Sequence, residues 1–190
     1  MEHYDFSAVA SMARNLLETY LAFFYLCVDD ADDDQWLTRL NLMQLHDCVS
    51  RIRMFREFDD HDPQLPEFEA AAEELRRELL GHNAFATLPP KQQKRFLTGD
   101  YAWLFPQNES LAKIGVNVGG IRGFYRLLSA HVHSFPLAFY RMAERDQGRG
   151  IESEWEKESF ASALDFAEDV VNRATRDMLG MFPDAALPTS

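Results

Sequence analysis

The sequence contains little cysteine, with only Cys27 and Cys48 among its 190 residues. The two do not form a CxxC pair, and neither has histidines at the spacing of a structural zinc site. Such a chain is not held together by a disulfide framework or a zinc centre. We expect both thiols to be buried in an apolar core.

Positive charge is also scarce, since 19 lysines and arginines face 31 acidic residues and the formal net charge is −12. This balance argues against a protein that coats nucleic acid nonspecifically, because such binding depends on neutralising phosphates with basic side chains. The basic residues are unevenly spread, with a charge of +4 over residues 113–150 and −16 over the remainder. A basic segment on an acidic protein is compatible with a local anionic ligand.

The N-terminal stretch MEHYDFSAVA lacks the basic segment and apolar run of a secretory signal. A strongly apolar stretch occurs at Leu16–Val28, but it is shorter than a bilayer span. We therefore expect a cytoplasmic protein that does not contact membranes.

Strand-like alternation of useful length is absent, whereas apolar residues recur every three or four positions along most of the chain. This spacing predicts an all-α fold, a helical bundle of four to five main helices. With 46% hydrophobic residues and no break in composition, residues 1–182 are expected to form a single domain, followed by a flexible tail at 183–190. The predicted long helices are Phe6–Val28, Gln35–Phe58, Pro66–Gly81, Ile121–Met142 and Glu152–Met181, with a short helix from Pro90 to Leu97.

The segment Ile121–Met142 is the most informative part of the sequence, because as one helix it carries two stripes. Its apolar residues recur at spacings of three and four and predict a buried face. Pro136 falls inside the segment and is expected to kink the helix. The second stripe, beside the apolar one, is polar and consists of Arg122, Arg126, Ser129, His133 and Tyr140.

Metal sites are not indicated. The acidic run Asp29–Asp34 lacks the glycine and the terminal glutamate of an EF-hand loop, so we expect a solvated turn that caps the next helix. A di-iron bundle needs Glu-x-x-His from two helices, and the sequence has no such motif. A small basic cluster at Lys91, Lys94 and Arg95 is compatible either with RNA contact or with an ordinary solvated helix surface.

Arg126 is followed by both His131 and His133, which makes an Arg-x4-His and an Arg-x6-His pattern. Here the chain resembles the HEPN superfamily, whose members are small helical bundles with an Arg-x(4–6)-His motif late in the domain. It is particularly similar to a branch of uncharacterised bacterial domains that pair Arg-x3-Glu in the first helix with a later Tyr-x3-Ser-x3-His. In this chain those elements are Arg14–Glu18 and Tyr125–Ser129–His133.

The resemblance implies a metal-independent endoribonuclease of toxin or phage-defence type, which uses no cofactor and often acts as a homodimer. An imidazole can exchange a proton with the ribose or the leaving oxygen, while a guanidinium holds the phosphate. We therefore assign His133 as general acid or base and Arg126 as the phosphate ligand, supported by Arg122, Ser129 and Tyr125. Helical geometry favours His133 over His131, because seven residues return to the Arg126 face.

A second interpretation stays open, namely a non-catalytic helical module that binds a partner protein, such as an antitoxin, or another ligand. In it Arg14, Glu18, Ser129 and His133 satisfy one another in a polar cluster between packed helices, with Tyr125 as a further candidate member. Arg14 and Glu18 have the i, i+4 spacing of an ordinary ion pair. Leu127 stands where active HEPN nucleases usually carry a polar residue. An exposed cleft at Arg126 and His133 would favour the enzyme, and a seam closed by Arg14 and Glu18 would favour the module.

Overall fold

A computed structural model describes residues 5–133, 135–138, 140 and 153–185 of the chain. Within these ranges all regular structure is helical, which confirms the predicted all-α fold. No helix in the described ranges is long and apolar enough to cross a membrane. The helices are α1 (Phe6–Phe23), α2 (Asp33–Phe58), α3 (Leu65–Gly81), α4 (Asn83–Ala86), α5 (Pro90–Phe96), α6 (Gln107–Ile114), α7 (Val118–Val132) and α8 (Glu154–Met181), with a π-helical turn at Phe24–Val28 and a 3-10 turn at Pro183–Ala185.

Most of the predicted helix ends agree with the structure to within a few residues, because the sequence carries capping signals there. The Asp5 carboxylate accepts the backbone N–H of Ala8 at 3.1 Å, and α1 begins directly after it. The Asp32 carboxylate accepts the N–H of Gln35 at 2.8 Å at the start of α2. Such caps satisfy backbone donors that have no partner within the helix. The acidic run therefore caps α2, as predicted.

The predicted helix Ile121–Met142 is wrong in its continuity, because α7 ends at Val132 and residues 136–138 are helical again only after this interruption. Proline disfavours helical geometry at the preceding residue, Phe135. The N–H of Phe135 donates to the carbonyl of Ala130 at 3.0 Å, a bond of the kind that closes many helix ends. His133 consequently lies in the C-terminal cap of α7. The predicted residues beyond 140 in this helix lie outside the described ranges, as do residues 186–190 of the predicted tail.

The chain divides into two compact units. Unit 1 consists of Met1–Val28 and Ser110–Ser190, and unit 2 consists of Asp29–Glu109. Unit 2 is thus continuous in sequence, whereas unit 1 is assembled from the segments on either side of it. The single domain expected over residues 1–182 stays a prediction.

In unit 1, α1 packs against both α7 and α8. The shared core contains Ala10, Ala13 and Leu128, and the small side chains on α1 let α7 come close. Phe124 on α7 meets Phe166 on α8 with their ring centroids 4.9 Å apart. The close approach of α1 and α7 is what positions the polar side chains described below.

The prediction that both thiols are buried is wrong. Cys27 is exposed, and Cys48 is only partly buried. Cys27 lies in the π-helical turn Phe24–Val28, whose buried residues are Phe24 and Tyr25. A π turn holds more residues than an α turn, so it shifts the buried face relative to the periodicity of the preceding helix.

In unit 2, α2 packs along α3 and contacts α4. The core is apolar and includes the fully buried side chains of Leu42, Leu45, Leu79 and Phe85. After α5 the backbone turns at Gly99, where φ is +77°. This turn leads into an irregular segment at residues 100–106.

Gly99 gives a test of how tightly unit 2 is packed, because a Cβ at this position would clash with the Val49 side chain. A left-handed backbone costs a non-glycine residue about 1–2 kcal/mol, and overpacking adds about 1–3 kcal/mol. We therefore expect Gly99→Ala to lower the free energy of unfolding by about 2–5 kcal/mol in urea denaturation. Gly115 has the same φ of +77° in open space, so Gly115→Ala should show only the backbone cost. Equal losses in the two variants would contradict the role of the Val49 contact.

Candidate functional site

A polar cluster lies where α1 and α7 pack together in unit 1. Arg14 and Glu18, one turn apart on α1, form an ion pair of 2.8 Å between Nη2 and Oε1. The Arg14 Nε and Nη2 atoms also donate to the Tyr125 hydroxyl on α7, at 3.3 and 3.2 Å. The Tyr125 hydroxyl in turn donates to Glu18 Oε1 at 2.6 Å. The three side chains form a closed triangle of hydrogen bonds between the two helices.

His133 contacts this triangle through the guanidinium of Arg14. Its Nε2 atom lies 3.1 Å from Arg14 Nη1. A guanidinium only donates hydrogen bonds, so Nε2 must accept, and the imidazole in this arrangement is neutral with its proton on Nδ1. His133 is exposed, whereas the Arg14 side chain is only 16% exposed. The site is therefore a partly buried cation with a neutral, solvent-facing imidazole beside it.

The electrostatics of the triangle keep Arg14 charged and Tyr125 protonated. Burial by itself lowers the pKa of Arg14, but the hydrogen bond with Tyr125 and the charge of Glu18 outweigh it, so its pKa is raised above the usual value. Burial raises the pKa of Tyr125, and its hydrogen bond to Glu18 raises it further. The carboxylate of Glu18 therefore stabilises the arginine as a cation and the tyrosine hydroxyl as a donor.

The remaining predicted residues lie outside the triangle. Arg122 and Arg126 are exposed on α7, and Arg126 makes no hydrogen bond or ion pair within the described part of the chain. His131 is 4% exposed and packs edge-on against Phe6, with centroids 4.7 Å apart. The Ser129 hydroxyl is buried and has no hydrogen-bond partner among the described residues. The cation hydrogen-bonded to His133 is thus Arg14, whereas the sequence analysis chose Arg126 as the phosphate-binding cation of the site.

The other features predicted from the sequence add no residue to this cluster. Arg141, Arg145 and Arg149, which supplied much of the predicted basic segment, lie outside the described ranges. Tyr140, the last member of the polar stripe, is 69% exposed. A search of the described residues for three or more histidine, cysteine, aspartate or glutamate side chains able to hold one metal ion finds none.

No curated protein and no solved structure matches the chain. The DUF5677 family, a family of unknown function, matches residues 1–151. This range contains α1 and α7, and therefore every member of the polar cluster, while α8 lies beyond it. The chain belongs to the DUF5677 family.

Proposed function

We propose that unit 1 carries a metal-independent endoribonuclease site of HEPN type, centred on His133 and Arg14. The observation that supports it is the pairing of an exposed imidazole with a partly buried guanidinium at 3.1 Å. These are the two groups that RNA cleavage without a metal needs, a base for the ribose hydroxyl and a cation for the phosphate. Glu18 and Tyr125 hold the other side of the guanidinium, which limits its motion.

The chemical step follows from this arrangement. An RNA phosphate is a stronger acceptor than an imidazole, so it draws the Nη1 donor of Arg14 away from His133. The released Nε2 atom takes the proton of the 2′-hydroxyl, and the 2′-oxygen attacks phosphorus. The bond to the 5′-oxygen breaks, this oxygen takes a proton from water, and the products are a 2′,3′-cyclic phosphate and a 5′-hydroxyl. Exposed Arg126, one residue beyond Tyr125, adds a second positive charge for the phosphate.

The proposal includes the setting that the HEPN likeness implies. The protein acts in the cytoplasm as a homodimer, in a toxin or phage-defence role, and an antitoxin is the expected partner. The exposed edge of the site at His133 is where RNA enters.

The test is cleavage of end-labelled RNA in the presence of EDTA, with analysis of the product ends. We expect the parent to leave 2′,3′-cyclic phosphates, and Arg14→Gln to cut about a hundredfold more slowly because a donor to the developing charge is lost. Arg126→Gln is the matched control on α7. We expect it to slow cleavage less than about tenfold, since an exposed guanidinium interacts only weakly with a phosphate in water. If Arg126→Gln slowed cleavage more than Arg14→Gln, Arg126 would be the main cation of the site. A parent that cuts under no condition of salt or pH would overturn the proposal.

A second candidate function has its own supporting observation. Arg14, Glu18 and Tyr125 satisfy one another, so the seam between α1 and α7 is closed in the way expected of a non-catalytic interaction module. In that case the parent does not cut RNA, and Glu18→Gln lowers the unfolding temperature because the partly buried guanidinium of Arg14 loses its counterion. Under the same interpretation His133→Ala leaves the unfolding temperature nearly unchanged, since the imidazole is exposed.

A further inference from the structure

Unit 2 contains a cavity of about 590 Å³ that the proposed cleavage step does not use. It lies beside α5 and the irregular segment at residues 100–106. We propose that this cavity binds an unpaired base of single-stranded RNA, while the lysines of α5 hold a neighbouring phosphate. The inference rests on the proposed function, since it supplies the substrate contact of an RNA-cleaving enzyme. The side chains on which it depends are Gln92, Arg95, Tyr101, Trp103, Phe105 and Gln107, all of which line the cavity.

The wall of the cavity is held in place by a short set of hydrogen bonds. The Nδ1 atom of His46 on α2 lies 2.9 Å from the Gly99 carbonyl, which only accepts, so the imidazole donates. The Asp100 carboxylate accepts from Arg53 at 2.6 Å and from the Thr98 hydroxyl at 2.7 Å. These contacts fix the start of the aromatic segment against α2. The cavity is therefore pre-formed, as small-molecule sites usually are.

The aromatic side chains provide flat surfaces on which a base can stack. Tyr101, Trp103 and Phe105 all line the cavity within a stretch of five residues. The Arg95 guanidinium lies over the Tyr101 ring, with Cζ 3.7 Å from the ring centroid. Phe96 contacts the same ring edge-on, at 6.2 Å between centroids. Aromatic rings and guanidinium planes are the usual stacking partners of unpaired RNA bases, and such stacking tolerates any base.

The charge beside the cavity favours a single phosphate and opposes broad nucleic-acid binding. Unit 2 has 17 acidic and 9 basic residues, and its net charge is therefore −8. Residues 88–99, in contrast, contain Lys91, Lys94 and Arg95 and no acid. Both lysines are exposed on α5, where they can reach an anion. A basic spot on an acidic surface attracts phosphate locally while the surroundings repel a long duplex.

The volume of the cavity and the polar side chains that line it fit one nucleotide. Sites for small ligands measure roughly 300–1,000 Å³, and the cavity lies within this range. Gln92 and Gln107 line it and offer amide groups, each with donors and an acceptor for the edge of a base. One base fits a cavity of this volume, and the aromatic side chains on its wall favour an unpaired base.

The experiment measures binding apart from cleavage. Fluorescein-labelled ten-nucleotide RNAs, single-stranded and as a duplex, are titrated into His133→Ala protein, and anisotropy is read at two salt concentrations. In this background we expect the double variant Lys91→Gln and Lys94→Gln to bind the single strand more weakly and with less salt dependence, because two phosphate contacts are lost. Tyr101→Leu should weaken binding about tenfold without changing the salt dependence, since base stacking is worth about 1–3 kcal/mol.

The controls exclude effects of fold and of general charge. Arg77→Gln removes an exposed cation of α3 that does not line the cavity and should leave binding unchanged. Arg95→Met is a second change at the stacking surface, used if Tyr101→Leu alters the circular dichroism spectrum. Equal affinity in the parent and in the α5 and Tyr101 variants, or equal affinity for the duplex, would overturn the inference. If the parent cuts RNA but these variants bind normally, only the cavity assignment fails; if RNA binds here but the parent never cuts, only the nuclease fails.

Discussion

Replacing His133 by alanine is expected to slow RNA cleavage by about 10²–10⁴-fold, the usual contribution of a positioned general acid or base. The physical reason is that Nε2 of His133 is the basic atom that lies beside the Arg14 guanidinium, 3.1 Å from Nη1. Without it the 2′-hydroxyl has to lose its proton to water, although the phosphate still meets the cation. Substrate affinity should therefore change much less than the rate of the chemical step.

The measurement is a single-turnover cleavage assay in EDTA at several RNA concentrations, which separates substrate affinity from the rate of the chemical step. His61→Ala is the matched control, since His61 is an exposed histidine in unit 2 outside the cluster. A His133→Ala protein that is folded and cuts at the parental rate would remove the imidazole from the mechanism.

The parts of the fold that depend on residues close together in sequence could be predicted. Helical periodicity identified the long helices, and Asp5 and Asp32 marked two of their starts, because capping depends only on neighbours in the sequence. The end of α7 was predicted wrongly. Pro136 is compatible with either a kink or a stop, and the choice depends on how the preceding turn closes, here through Phe135 and Ala130.

The sequence analysis named the residues of the candidate site, but it did not predict which of them contact one another. Arg14, Glu18, Tyr125 and His133 were all identified, but helical spacing on one segment pointed to Arg126 as the partner of His133. The actual partner, Arg14, lies 119 positions away in sequence. It reaches the imidazole because α1 packs on α7 through small residues such as Ala13. Contacts between helices cannot be derived from the periodicity of one helix, so the sequence left this point open.

The acidic run Asp29–Asp34 shows the same limit. It was expected to be a solvated turn, and Asp32 and Asp33 are indeed exposed. Asp29, however, accepts a hydrogen bond from Arg39 Nη2 at 2.7 Å, and the two side chains are only 8% and 5% exposed. One carboxylate of the run is therefore part of the core of unit 2, and nothing in the spacing of the acids distinguishes it from its neighbours.

This ion pair leads to the largest stability effect that we expect. Asp29→Asn keeps the shape of the side chain but removes the negative charge that lies 2.7 Å from the buried guanidinium of Arg39. Breaking one side of a buried pair costs about 3–5 kcal/mol, because the desolvated charge loses its compensation. The free energy of unfolding, measured by urea denaturation, should fall by this amount.

The matched control is the exposed pair of Asp47 and Arg51 on α2, which has a similar distance of 2.8 Å but side chains 59% and 48% exposed. Asp47→Asn should lower the free energy of unfolding far less than Asp29→Asn, since water and salt screen such a pair. Replacing both buried partners, Asp29→Leu with Arg39→Met, should restore most of the stability, because no buried charge is left and methionine can still pack on the Phe105 ring, which lies 5.3 Å from the guanidinium. If Asp29→Asn costs no more than Asp47→Asn, the buried pair does not stabilise unit 2, and the guanidinium of Arg39 finds its compensation elsewhere.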